Sequence, residues 1–204
     1  MSQQLTVIGA GGHAKVVIST ARAAGWHVGM AFDDDPAKIG GEVLGVPVVG
    51  PVSEVLNADV GVAVLACGGN RVRARLAGEF DFDWVSIVHP AATVHDSVEI
   101  AAGAVIFAGA VVQPDAIVGK HAIVNTGATI DHDGVIGPFA HIAPGANLAG
   151  EVDIREGAFV GIGAAVIVGC SIGAWAVLGA GAVATTDVAA GVTAVGVPAR
   201  AVSS

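Results

Sequence analysis

Between positions 88 and 178 every sixth residue is Val, Ile or Leu, from Val88, Val94, Ile100 and Ile106 through to Ile172 and Leu178, sixteen positions without a slip. Two residues before these stand small or aliphatic side chains, among them Ala104, Ala110, Ala116, Ala122, Ala128, Gly134, Ala140 and Ala146. A fixed short period decides architecture before local propensity does. This one predicts a parallel β-helix of hexapeptide repeats. Three hexads to a coil give about five coils, roughly 25 Å tall at the ~4.8 Å strand spacing. A third column holds Gly103, Gly109, Gly127, Gly145, Gly157, Gly163, Gly169 and Gly181. It predicts corners, where the backbone needs positive φ or close approach. Residues 191–200 leave the repeat and predict a cap over the last strand edges.

The pattern before position 88 is different. Apolar runs at 5–8, 27–32 and 60–66 predict buried strands. Residues 13–24 predict a helix stopped by Gly25, and 70–78 a second one. Residues 38–45 predict a loop, 47–49 an extended piece, 52–57 a short helix and 84–88 a last strand. Strands alternating with helices make a small Rossmann-like parallel α/β sheet. The expected organisation is an α/β domain over residues 1–85 and a β-helix with its cap over 86–204, abutting without a linker. Ligands of such sheets bind at the carboxyl ends of the strands. Loop 9–12, Asp33-Asp34 and Gly68-Gly69-Asn70 all fall there.

Composition narrows the function. Hydrophobic residues make up 53% of the chain, yet no uninterrupted apolar run reaches the ~18–20 residues of a spanning helix, so no membrane insertion is expected. The net charge of −9 and the absence of a basic cluster exclude sequence-independent nucleic-acid binding. No signal peptide is recognisable, and the two cysteines fit neither a disulfide framework nor a metal spacing. Cys170 falls on the small inward column and reads as a buried thiol. The expected location is cytoplasmic.

Candidate chemistry sits on outward polar residues. His132 is flanked by Asp131 and Asp133. A carboxylate beside an imidazole fixes its tautomer and stabilises the imidazolium, as a general base requires; the alternative is a surface histidine between two solvated acids. His141 follows nine residues later, half of an 18-residue coil. Within one subunit the two histidines would sit on opposite sides of the prism, so they could share a site only across a subunit boundary. Zinc needs three or four suitably placed ligands; none are spaced for it, and no metal is expected. The stretch Gly9-x-Gly11-x-x-Ala14 matches a dinucleotide fingerprint, whose glycines and following helix N-terminus suit a diphosphate. Asp33 and Asp34 are candidates to accept hydrogen bonds from hydroxyls or an ammonium group, or else belong to a surface turn.

In combination and order, Val7-Ile8-Gly9-Ala10-Gly11-Gly12-His13, Phe32-Asp33-Asp34, Gly68-Gly69-Asn70, Asn125-Thr126, Ile130-Asp131-His132-Asp133, His141, Leu148-Ala149-Gly150 and Gly196-Val197-Pro198-Ala199 resemble the bacterial sugar O- and N-acyltransferases of the left-handed β-helix superfamily. The likeness is to N-acetyltransferases of nucleotide-linked 4-amino sugars, of the bacillosamine and perosamine pathways, and to sialic-acid O-acetyltransferases. The resemblance implies a homotrimer with interfacial sites, acetyl-CoA as acyl donor and a nucleotide-linked amino sugar as acceptor. It implies His132 as general base with Asp133 as its orienting acid, and Asp131 as a competitor for that role. Asn125, His141, Gly150, Ile162 and Ala180 would line the cofactor. Gly11, Gly12, His13, Asp33, Asp34, Gly68, Asn70 and Arg73 would line the sugar-nucleotide site. O-acetylation of a sugar hydroxyl, and a non-catalytic nucleotide-sugar-binding or assembly role, remain the alternatives.

Overall fold

The computed structural model describes residues 4–58 and 60–202; Met1 to Gln3, which lead toward the first strand, lie outside the described residues, as do Asp59, Ser203 and Ser204. The N-terminal apolar runs form β1 (Gln4–Ile8), α1 (Gly12–Ala23), β2 (His27–Phe32), β3 (Glu42–Val43), β4 (Val46–Gly50), a 3-10 helix (Val52–Asn57), β5 (Val62–Leu65) and α2 (Asn70–Glu79). The sheet order is β3-β4-β2-β1-β5. β1 pairs in parallel with β2 and β5, and Leu5, Val7 and Ile8 on it are wholly buried. A parallel strand covered on both faces needs such a continuous apolar run.

Two expectations change. Residues 38–45 are not only loop, because β3 turns back antiparallel onto β4 through Leu44 and Gly45, both at positive φ. That is the backbone of a two-residue hairpin, written without the usual Asn-Gly. Residues 84–88 are not one strand. Trp84 makes an isolated parallel bridge to Ala63, and Ile87–Val88 is already the first solenoid strand, paired with Val105–Ile106.

From there every sixth-residue aliphatic closes a two-residue strand, and the strands stack into a three-sided parallel β-solenoid. The first face carries Ile87–Val88, Val105–Ile106, Ile123–Val124, His141–Ile142, Phe159–Val160 and Val177–Leu178. Thr93–Val94, Val111–Val112, Thr129–Ile130, Asn147–Leu148, Ala165–Val166 and Val183–Ala184 form the second. Glu99–Ile100 through Ser171–Ile172 form the third. The aliphatic and alanine columns fill the prism as one core, with Cys170 in the small column. Thr193–Val195 extends the first face, and Arg200–Ala201 folds back antiparallel on it, which caps that end.

The corner column holds positive φ at all eight expected glycines, and also at Asp115, His121, Asp133, Phe139, Glu151 and Trp175. A side chain in that conformation costs about 1–2 kcal/mol, so these six are exceptions to explain.

The first face is the one the α/β unit covers. Ile87, Val105, Phe107 and Ile123 share a core with Leu5, Val7, Val17 and Ile18. No helix among the described residues is long and apolar enough to cross a membrane.

Candidate active site

His132 stands at the edge between the second and third faces, after Thr129–Ile130 and before Val135–Ile136. Its side chain is 53% exposed. The imidazole Nδ1–H donates to Asp133 Oδ2 at 2.8 Å, while Asp131 Oδ1 accepts from the His132 backbone N–H at 2.8 Å. The two acids therefore divide the work: Asp133 holds the ring and Asp131 caps the turn. Asp133 does this from the left-handed corner, at φ +58. The Asp133 hydrogen bond first, then the charges of Asp131, Asp133 and Glu151, hold the imidazole above its ordinary 6.5.

With Nδ1 engaged, Nε2 is the free nitrogen. It lies over Gly150, one coil on: a Cβ there would stand 2.6 Å from both Nε2 and Cε1. Among the described residues the Gly150 N–H has no acceptor. A base nitrogen and an unpaired amide donor are thus side by side. That pairing can remove a proton and stabilise an oxyanion.

His141 is not on the surface. It takes an outward position of the first face, and the α/β unit buries it to 7% exposure. Asn125 Nδ2–H donates to its Nε2 at 3.0 Å. The Asn125 amide is itself oriented by the Thr126 N–H, 2.8 Å from Oδ1. The remaining proton is then on Nδ1, directed at Gly68 O, 3.4 Å away. Burial, and next the charge of Arg73, bring His141 down to about 3 and His13 to about 4. Both stay neutral at physiological pH. Their rings lie 6.0 Å apart, a pairing that spacing along the chain does not reveal.

The three predicted loops do converge above the sheet. Asp33 Oδ2 accepts from the Ala10 N–H at 2.6 Å, Gly9 packs against Cys67 and Ala66, and Gly68 lies against His13. Gly11 and Gly12 open on empty space at the start of α1. Several expected ligand contacts are spent on the protein itself. Asp33 binds the Asp35 N–H and Lys38 Nζ as well. Burial pushes its carboxyl up, but the amide bonds from Asp35 and Ala10 together with Lys38 outweigh it and hold it below the usual range. Asp34 Oδ1 accepts from the Val52 N–H at 2.9 Å, and Asn70 Nδ2 donates to Gly157 O and Ala158 O.

Arg73 does not line the crevice. It is 1% exposed and its guanidinium donates to the carbonyls of His121, Cys67, Gly68, Phe139 and Ala140 and to Asn70 Oδ1. On the inner side of α2 it ties that helix to the solenoid. Arg71 and Arg75 on the same helix are exposed; Arg75 pairs with Glu79, and the Arg71 guanidinium carbon lies 4.7 Å from the Trp175 ring centroid. The sequence signal was an aromatic residue in the glycine column, 18 residues after Gly157.

Ile162 and Ala180 are exposed at the edge between the first and second faces. In one chain they do not meet Gly150, which lies at the next edge round. Among the described residues no three His, Cys, Asp or Glu side chains are grouped to hold a metal ion.

Asp133→Asn removes the charge that keeps the imidazole protonated to higher pH. If His132 acts as a base, it is lost as pH falls through its pKa, so the acidic limb of a pH–rate profile should lie above 6.5 in the native protein and move to lower pH in this variant. A pH–rate profile in which the limb stays put would separate Asp133 from the base.

Residues 4–80 match the family model of the PglD N-terminal domain. Among curated proteins no sequence matches. Among solved structures, perosamine N-acetyltransferase from Caulobacter crescentus, a histidine-to-asparagine mutant in complex with CoA and GDP-perosamine, is 40% identical over 98% of this chain and 97% of its own, with a TM-score of 0.93. The acetyltransferase domain of PglB from Neisseria gonorrhoeae FA1090, in complex with acetyl coenzyme A, is 37% identical over 99% and 100%, with a TM-score of 0.92. WeeI from Acinetobacter baumannii AYE is 28% identical over 97% and 99%, with a TM-score of 0.85.

Proposed function

The chain belongs to the family of β-helical nucleotide-sugar N-acetyltransferases that includes perosamine N-acetyltransferase, and from that premise we propose a mechanism in which His132 is the general base for acetyl transfer to the 4-amino group of a nucleotide-linked 4-amino-4,6-dideoxy sugar. The enzyme is an acetyl-CoA-dependent acyltransferase that N-acetylates a nucleotide-linked amino sugar. The observation that carries the His132 assignment is the Asp133–His132 pair with its free Nε2 over Gly150.

A sugar amine is mostly protonated near neutral pH and must lose a proton to attack. That ammonium proton goes to solvent, and His132 Nε2 takes a second one as the neutral nitrogen adds to the thioester carbon. The carbonyl oxygen becomes an oxyanion, and the Gly150 N–H donates to it. Collapse breaks the C–S bond, and the proton held on Nε2 neutralises the departing CoA thiolate. Asp133 stabilises the imidazolium between these steps.

The acceptor would lie in the crevice over Gly11, Gly12, His13 and Gly68, with its diphosphate at the open start of α1. Neutral His141, braced by Asn125, would reach the acetyl end of the cofactor, and Ile162 and Ala180 would border its pantetheine arm. The dyad points away from the face that carries the crevice. That supports a homotrimer in which one subunit's dyad serves its neighbour's crevice, with both substrates ordered across the boundary.

A direct test is acetyl transfer from acetyl-CoA to UDP-, GDP- and dTDP-linked 4-amino sugars, alongside matched 4-hydroxy sugars and free amino sugars. We expect turnover on one nucleotide class with the amine present. Comparable turnover on the hydroxy sugars would replace N-acetylation with O-acetylation.

A further inference from the structure

Arg73, the cation that the family resemblance implies at the crevice, is turned inward. Arg71 takes the exposed position two residues earlier, in the first turn of α2, and among the described residues it pairs with no carboxylate. A cation there faces the positive end of the helix dipole, and that turn contains no acidic residue. The position is unfavourable until an anion arrives.

The side chain is nonetheless held in place. Trp175, at φ +59 in the corner column, supports the guanidinium from below at 4.7 Å. The indole in turn rests on Gly157, where any Cβ would collide with it. An aromatic residue in a left-handed corner, a glycine that makes room for it and an arginine laid over it form one arrangement across two parts of the chain. They border a cleft of about 420 Å³ with Gly68, Gly69 and Phe159, within the usual range for a ligand pocket. Gly68, which lies against His13, is common to this cleft and to the crevice already assigned to the acceptor.

We propose that Arg71 binds the diphosphate of the nucleotide-linked sugar, and that Trp175 is the positioning residue that holds it there. This rests on the acceptor reading above and names the cation of that site. A guanidinium offers several N–H donors in a planar fork that matches phosphate oxygens. Stacking on the indole fixes that fork before the ligand binds, which lowers the ordering cost of binding. CoA also carries a diphosphate, so the source of the anion has to be separated by experiment.

Steady-state kinetics with each substrate varied in turn do this. Arg71→Gln and Trp175→Ala should each raise the KM for the nucleotide sugar about tenfold or more, the scale of a lost charge-assisted hydrogen bond. The kcat should stay within about threefold and the KM for acetyl-CoA should not move. Trp175→Phe, which keeps a ring under the guanidinium, should recover most of the loss. Calorimetric titration with GDP, UDP and dTDP should show the same weakening without turnover, for whichever the native enzyme binds. A rise in the acetyl-CoA KM instead would give Arg71 to the cofactor and overturn the proposal. So would an unchanged nucleotide-sugar KM in Arg71→Gln, an exposed substitution that should not disturb folding. If the native enzyme bound none of the three nucleotides, the acceptor reading itself would fall. If it bound one and Arg71→Gln bound it equally well, only the role of Arg71 would fall.

Discussion

Replacing His132 with alanine is expected to lower kcat by roughly two to four orders of magnitude, the usual worth of a positioned acid–base group. The KM for acetyl-CoA and the assembly state should hardly change, because the ring is exposed and contributes nothing to the prism core. Among the described residues its one side-chain hydrogen-bond partner is Asp133. His141→Ala should differ. That ring is packed against Phe159 and His13 and hydrogen-bonded to Asn125, so its loss should alter substrate affinity as well as rate. Mixing the two variants tests the shared site. If one subunit's dyad serves another's crevice, mixed trimers contain some junctions with both histidines intact and regain part of the activity. Turnover of His132→Ala within a few-fold of the native enzyme would end its assignment as base. Inactive mixtures that demonstrably exchange subunits would end the interfacial geometry.

Arg73→Met is expected to be the most damaging single change to stability, at about 3–5 kcal/mol, the scale of breaking a buried charged network. The guanidinium donates to five backbone carbonyls and to Asn70 Oδ1, with Phe139 O at 2.7 Å and Gly68 O at 2.9 Å; of these, Ala140 O also accepts from the Ile123 N–H. Methionine fills much of the same volume but donates to none of them, and each buried acceptor left unmet costs about 1–3 kcal/mol. Removing a buried charge offsets part of this: burial lowers Arg73 to about 10, still charged at neutral pH. The lost bonds outweigh that gain because they tie α2 and the end of β5 to two coils of the solenoid. For a chain of this length the change corresponds to a fall in Tm of roughly 6–20 °C, read by thermal unfolding at fixed protein concentration. Arg73→Lys should recover only part of it, because a single ammonium cannot reach both sides of the fork. A loss below about 1 kcal/mol in Arg73→Met would show that the two units are held by their shared apolar core alone.

The repeat made much of this legible in advance. A period of six places an aliphatic at the end of every strand, a small residue beneath it and a corner after it, and the structure keeps that register from Val88 to Leu178. It also placed His132 facing outward, on the side of the prism opposite His141. The convergence of Gly11, Asp33 and Gly68 was legible for a similar reason, since parallel strands align their carboxyl ends.

What the repeat could not say was which outward residues stay outward. Hexad position gives His141 and His132 equal standing as surface residues, and helical periodicity likewise leaves Arg73 and Arg71 alike as exposed cations. The α/β unit packs on one of the three faces only, and that choice buries His141, turns Arg73 into a bracket and leaves Arg71 free over Trp175. The preference of Asp133 over Asp131 as the partner of the imidazole was decided by a left-handed corner at position 133. The sequence by itself determined the prism, the sheet and the residue types available for chemistry, because these follow from short-range periodicity. Burial, charge and hydrogen-bond partner depend on contacts between residues as far apart as Asn70 and Gly157, or Gly68 and His141, and only the docking of the α/β unit on the first face of the solenoid decided them.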